Sequence, residues 1–323
     1  MAIQFTLLIA GLALILLGAN WLVDGASSIA KKTGMSEFII GLTIVGIGTS
    51  MPEMVVSFIS AIQGKADMAI GNVVGSNIFN TLLILGVTAI IRPLDITRES
   101  LKRDIPLNIL VTGLLIILGL KGTLLGLGDD RITRVDGIIM LVIMVLYFRI
   151  LLRKPKGGIE LQEPQTEDST KIFSTGKSVT LIIIGLAGLV FGGRIFVDSA
   201  TEIALFYGMS QKLIAITIMA AGTSLPELAT SVVAALKGRG QLALGNVLGS
   251  NISNILLILG GSALIHPLSF GSMKPIDLGT VMIAAIFLFT STYTFKSNKL
   301  DKFEGIMLLL MEAGYMTWLI IAG

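Results

Sequence analysis

Two glutamates, Glu53 and Glu227, sit inside long apolar stretches, each closing a motif that occurs twice: Gly48-Thr49-Ser50-Met51-Pro52-Glu53 and Gly222-Thr223-Ser224-Leu225-Pro226-Glu227. A charge at the centre of a membrane helix costs roughly 3 kcal/mol on insertion scales, so each carboxylate needs a partner. A purely structural carboxylate would be protonated or paired with a basic residue, and neither motif supplies Lys or Arg. A cation taken from water is the better partner. On a continuous helix Thr49 and Ser50 share a face with Glu53, four and three residues on. Pro52 deprives the Gly48 carbonyl of its amide donor, and Gly46 and Gly48 let that turn open. The outcome is a cluster of carboxylate, hydroxyl and carbonyl oxygens, repeated at Ala220, Gly222, Thr223, Ser224 and Glu227. These are hard donors, suited to calcium and sodium and not to zinc or copper.

A second motif follows each first one: Gly71-Asn72-Val73-Val74-Gly75-Ser76-Asn77 and Gly245-Asn246-Val247-Leu248-Gly249-Ser250-Asn251. Asn72, Ser76 and Asn80 fall on one helical stripe, as do Asn246, Ser250 and Asn254. Packing alone is a competing reading, because the glycines form small-xxx-small pairs and Asn or Ser can join helices. The two readings are compatible: close packing would bring the stripe within reach of the glutamates. Two ionised glutamates make a site of charge −2, neutralised by one calcium or by two sodium ions, with any third sodium on neutral oxygens. An empty −2 site enclosed in a membrane is costly, so such a protein should change sides only when loaded, which yields exchange and not leak. Protons would compete, the two carboxylates titrating as a coupled unit, and low pH should suppress transport.

The elements that must position these residues are membrane helices. Of the 323 residues 53% are hydrophobic and only 14% charged, far below the roughly 25% of a soluble domain. Apolar runs long enough to cross about 30 Å of hydrocarbon are expected at Ile3 to Val23, Glu37 to Ile62, Met68 to Ile91, Ile105 to Leu120, Val135 to Leu152, Val179 to Phe196, Leu213 to Leu236, Leu242 to Ile265, Ile276 to Phe295 and Phe303 to Ala322. The polar stretch Arg153 to Lys177, with Pro155, Gly157, Gly158 and Pro164, reads as a linker. It divides the chain into a first five-helix repeat, 1–152, a linker, 153–177, and a second repeat, 178–323.

Both motif pairs are offset by 174 residues, and from Gly48 to Gly86 roughly 22 of 39 positions are identical to their mates. The same offset pairs Asp24 with Asp198, Asn80 with Asn254 and Pro93 with Pro267. Five spans per copy is an odd number, so the second copy enters the membrane from the opposite side. The expected fold is therefore all-α and integral to the membrane: ten transmembrane helices as two inverted five-helix repeats, with a site near the midplane between them.

About 17 basic residues fall on the side of Lys31, Lys102, Lys154 and Lys237, against about 7 on the other, which makes the first side cytoplasmic, with the linker inside and both termini outside. No basic stripe beside stacking aromatics suggests nucleic acid, and no obligate protein partner is implied beyond the lipid bilayer. No cysteine means no disulfide and no thiolate metal site, and the lone His266 forms no His cluster. Asp24 and Asp198 are expected at helix ends near water, in structural or gating roles.

At these motifs the sequence resembles the sodium/calcium exchanger family of the cation/calcium exchanger superfamily, especially its compact prokaryotic members, over the whole chain. The resemblance implies a secondary antiporter in a prokaryotic inner or plasma membrane, exchanging calcium against sodium by alternating access, with no cofactor and no enzymatic activity. It also implies four cation sites. Glu53 and Glu227 would serve the central calcium site with backbone oxygens of Thr49 and Thr223. Ser50, Ser76 and the Gly46 carbonyl would build one sodium site, Ser224, Ser250 and the Ala220 carbonyl its counterpart, with Asn80 and Asn254 flanking the middle. Some relatives, potassium-dependent exchangers among them, carry aspartate at the place of Asn254, so asparagine here argues against potassium cotransport. A calcium/proton antiporter is the alternative. A passive channel and an intramembrane hydrolase rank behind, the first because it needs no inverted repeat, the second because no His or Cys accompanies the acids.

Overall fold

The structure is a computed structural model that describes residues 1–152, 172–209, 218, 220–270, 273–294 and 298–322. Most of the expected linker and the start of the seventh span, at 213–217, lie outside these residues. Six described helices are by themselves long and apolar enough to cross a membrane, and the bent pair Glu37–Thr49 and Met51–Ile62 makes a seventh. Three further passages carry more charge or are shorter: Ile105–Gly119 behind a π-helical turn at Ser100–Asp104, Arg134–Leu151, and Ala220–Gly222 followed by Leu225–Leu236. The protein is an all-helical membrane protein. Among the described residues four strands of two residues each are the exception, and they are informative.

Strand β1 (Leu94–Asp95) pairs with β4 (Lys299–Leu300), and β2 (Arg131–Ile132) with β3 (Leu268–Ser269), both antiparallel. Adding 174 to β1 gives β3, and adding 168 to β2 gives β4, so the two ladders are images of each other under the repeat. Each ties a loop of one half to a loop of the other. The fourth and fifth helices of each half carry a second matched device. Tyr147 donates to Asp104 at 2.8 Å and Tyr315 to Asp277 at 2.9 Å.

The first helix runs Ala2–Thr33 and the sixth Thr175–Phe206, both well past the expected ends at Val23 and Phe196. Polar residues end an apolar run without ending a helix; the first stops only where Gly34, at φ 67°, takes the left-handed conformation that favours glycine. Asp24 and Asp198 thus lie within helices and not at their ends. The two helices pack closely on each other: a Cβ at Gly18 would meet the Gly185 carbonyl oxygen at 2.7 Å. Their other sides expose Ile3, Ile9, Ile183 and Phe191, as lipid-facing helices must. The remaining helices enclose the main apolar core, which includes Val73, Ile78, Leu82, Val247, Ile252 and Leu256, all from the two helices after the glutamates.

One end of the interface between the halves is held by charge. Lys237 Nζ lies 2.5 Å from Asp24 Oδ1 and 3.3 Å from the Asn20 carbonyl, and Arg239 lies 3.1 Å from Glu37. The repeat places Gln63 and Lys65 opposite Asp198 and Gln211, so the mirrored end lacks the same charge pairs in sequence; Asp198 instead faces Arg194 of its own helix at 3.8 Å. Because the Lys237–Asp24 pair is partly exposed, Asp24→Asn should lower thermal stability by only about 1 kcal/mol or less. Thermal denaturation of the purified protein should show that loss, and none when Lys237→Gln is already present.

Candidate functional site

Glu53 and Glu227 occupy the first turns of the helices Met51–Ile62 and Leu225–Leu236, each with proline beside them. The chain breaks at Ser50, where the helix before it and the helix after it diverge by 47°. Backbone bonding across the break runs from Ser50 N–H to Gly46 O at 3.2 Å and from Met54 N–H to Ser50 O at 3.0 Å. Pro52, with no N–H, cannot extend it. A single face shared by Thr49, Ser50 and Glu53 does not survive this bend: the serines turn away from their own glutamate and reach across to the other.

Ser50 donates to Glu227 Oε1 at 2.8 Å, and Ser224 to Glu53 Oε1 at 3.0 Å. From the following helices, Ser76 donates to Glu53 Oε1 at 3.4 Å and Ser250 to Glu227 Oε1 at 3.4 Å. All six residues are at most 3% exposed. Ser250 also reaches the Gly46 carbonyl at 3.2 Å, so Gly46 is grouped with Ser250 and Ser50 and not with Ser76. Thr49 lies beside them, its hydroxyl 3.1 Å from Asn246 Oδ1. Thr223 is half-buried next to Ser224. Ala220 opens the helix Ala220–Gly222, and what faces it lies outside the described residues.

The next layer fixes the glutamate backbones. Asn72 Nδ2 donates to the Glu53 carbonyl at 3.1 Å and to Ser57 at 3.0 Å; Asn246 Nδ2 donates to the Glu227 carbonyl at 3.3 Å and to Ser231 at 2.9 Å. Ser57 and Ser231 escape a reading of the sequence for ligands, although they too recur at 174. Asn80 and Asn254 each open a π-helical turn, Asn80–Ile84 and Asn254–Leu259, a form rare enough to mark a constrained position. Between them lie Asn77 and Asn251, the last residues of the second motif, to which sequence reading assigns no role. Their identity in both repeats is the signal that was there.

Twelve buried side-chain oxygens among the described residues have no hydrogen-bond partner, and four of them belong to the residues of this site: Glu53 Oε2, Glu227 Oε2, Asn80 Oδ1 and Asn254 Oδ1. They are two pairs of repeat mates, and all four belong to residues at most 1% exposed. Buried polar atoms without partners are few in folded proteins and call for an explanation, a bound ion or water being one. Two carboxylate and two amide oxygens are donors of the type that hard cations such as calcium or sodium take. Among the described residues no three carboxylates, histidines or cysteines come together, so charge at the centre rests on the two glutamates alone.

Residues 3–153 and 177–321 match the family described as sodium/calcium exchanger protein. The putative antiporter CaxA of Alkalimonas amylolytica is 39% identical over 98% of both chains. The sodium/calcium exchanger MaX1 of Methanosarcina acetivorans is 33% identical over 97% of both. The structure of the sodium-calcium exchanger NCX_Mj soaked with sodium superposes with a TM-score of 0.83 at 32% identity, covering 98% of this chain and 99% of that one. The ten transmembrane helices in inverted repeats are shared with that fold.

Proposed function

The chain belongs to the sodium/calcium exchanger family and is a membrane cation/calcium exchanger, and from that premise we propose that it expels calcium against inward sodium by alternating access. The observation that carries this reading is the set of four buried oxygens without partners on Glu53, Glu227, Asn80 and Asn254. One calcium neutralises the two carboxylates; sodium ions replace it by using the same carboxylates with the hydroxyls of Ser50, Ser76, Ser224 and Ser250, the carbonyls of Gly46 and Ala220, and the backbone oxygens of Thr49 and Thr223. Competition for one pair of charges couples the two fluxes. The names of MaX1 and NCX_Mj support sodium as the counter-ion. Residues 1–152 and 178–323 act as the two repeats around the linker at 153–177. The charge bias of the loops supports a cytoplasmic linker and both termini outside, in a prokaryotic inner or plasma membrane.

Purified protein in liposomes tests the ion pair. Calcium uptake is expected to require sodium inside; uptake indifferent to sodium but driven by a pH gradient would replace this reading with calcium/proton antiport. A further expected result concerns pH. Protonation of either glutamate removes a charged ligand, so sodium-driven calcium uptake should fall as pH is lowered, and raising calcium should restore it. Acid inhibition that saturating calcium leaves untouched would place the titrating group elsewhere.

A further inference from the structure

We propose that Asn77 fixes the amide orientation of Asn254, and Asn251 that of Asn80, so that each flanking asparagine turns its oxygen and not its NH2 toward the transported cation. This rests on the site proposed above. Amide oxygen and nitrogen are similar in size, and the two faces of an asparagine are told apart by what they bond. Only the oxygen can bind a cation. An amide turned the other way would present two N–H donors to the ion and abolish its own contribution.

The orientation follows from one group whose role is fixed. The backbone carbonyl of Asn251 can only accept, and the Asn77 side chain meets it at 3.1 Å, so the atom there is Nδ2. Asn77 Oδ1 therefore faces Asn254, 3.0 Å from its nitrogen. An oxygen needs a donor, so that atom of Asn254 is Nδ2, and Asn254 Oδ1 is directed away, buried and without a protein partner. On the other arm, Asn251 Nδ2 donates to Thr81 Oγ1 at 2.8 Å and Asn251 Oδ1 accepts from Asn80 Nδ2 at 3.2 Å; a hydroxyl can serve in either role, so it is the first arm, anchored on a carbonyl, that carries the argument. Asn80 Oδ1 is then left in the same condition as Asn254 Oδ1. The arms differ because the mate of Thr81 is Ile255, which offers no hydroxyl, and Asn77 uses a carbonyl instead. All four asparagines are at most 2% exposed, so water does not scramble the chain of bonds. Asn77 and Asn251 touch no proposed ion; they are positioning residues acting through their neighbours.

The test compares Asn77→Ala in two backgrounds, native and Asn254→Asp. Aspartate has two acceptor oxygens and needs no orienting, so the role of Asn77 disappears there while any packing role remains. Calcium affinity is read by titration calorimetry on the purified protein, and the half-saturating calcium by sodium-driven uptake in liposomes. Asn77→Ala is expected to weaken calcium at least tenfold in the native background and by less than twofold, or not at all, beside Asn254→Asp. An equal loss in both backgrounds, or no loss in the native one, overturns the proposal. Should Asn77→Ala fail to fold, the near-isosteric Thr81→Val takes its place: it frees the Asn251 amide and is expected to weaken calcium severalfold with Asn80, but not with Asn80→Asp. Glu53→Gln measured alongside separates the two levels. Native affinity in Glu53→Gln would sink the site itself, whereas a lost affinity there, with background-independent Asn77→Ala, sinks only the orienting role.

Discussion

Replacing Glu53 by glutamine, or Glu227 by glutamine, should abolish sodium-driven calcium flux while leaving a folded protein in the membrane. Glutamine keeps the shape, and its Oε1 still accepts from Ser224 or Ser50, now 3.0 and 2.8 Å from the native carboxylates. The other atom changes sign of role: an oxygen that has no protein partner becomes an NH2 directed at the ion. The site falls from charge −2 to −1, so a bound calcium is no longer neutralised. Removing one charged partner from a buried ion costs on the order of 3 kcal/mol or more, roughly a hundredfold in affinity. The empty protein, in contrast, loses a buried charge, and its melting temperature should hold or rise. Calcium uptake into liposomes together with thermal denaturation checks both halves. Normal flux in either variant would show that its carboxylate is not a cation ligand.

What the sequence discloses about this site depends on distance along the chain. Glu53, Ser50, Ser76 and Asn80 stand out because their types are expensive in an apolar span and because each has a mate 174 residues on. Local arithmetic assigns Ser50 to Glu53, and that assignment fails, since the break at Ser50 sends its hydroxyl to Glu227 instead. A bend angle is set by how two halves pack, and no spacing within one half contains it. Asn77 and Asn251 illustrate the same limit: their identity shows in the motif, but their bonds run across the two-fold axis, to each other's strand of the network. The gapless 174-residue offset is legible from Asp24 in the first span to Pro93 after the third. Beyond that stretch the offset drifts from 174 between β1 and β3 to 168 between β2 and β4, so a gapless alignment no longer pairs Tyr147 with Tyr315, though the structure gives them the same partner type. Helix ends are the poorest reading, because an apolar run reports lipid depth while the first and sixth helices continue past it, to Thr33 and Phe206.

Substituting Gly249 by alanine should both destabilise the observed structure and slow exchange, and its repeat mate supplies the control. The helix Gly240–Ser253 lies so close to the segment before Ser50 that a Cβ at Gly249 would meet the Leu42 carbonyl oxygen at 2.2 Å and Leu42 Cα at 2.7 Å; at Gly245 it would meet the Phe38 carbonyl at 2.3 Å. These are backbone atoms and cannot rotate aside, so the helices must separate, at a cost of roughly 1–3 kcal/mol. In the other half, Gly75 is exposed and a Cβ there meets nothing within 4 Å among the described residues. Asn72 is likewise half-buried where Asn246 is fully buried. Among the described residues the helices that carry Gly75 and Gly249 are thus packed unequally, and Lys237 meets Asp24 and Arg239 meets Glu37 at one end of the interface. In the alternating access proposed above, rocking of one repeat against the other would exchange this packing, so that Gly75 becomes the crowded position when Gly249 is released. Gly249→Ala is therefore expected to lower the melting temperature and cut sodium-driven calcium flux by about tenfold, the equivalent of about 1.4 kcal/mol. Gly75→Ala should leave the melting temperature unchanged and still slow the flux, because it penalises the conformation not seen. Native flux in Gly75→Ala would mean that the second half never closes as the first does, and a symmetric exchange of packing would have to be given up.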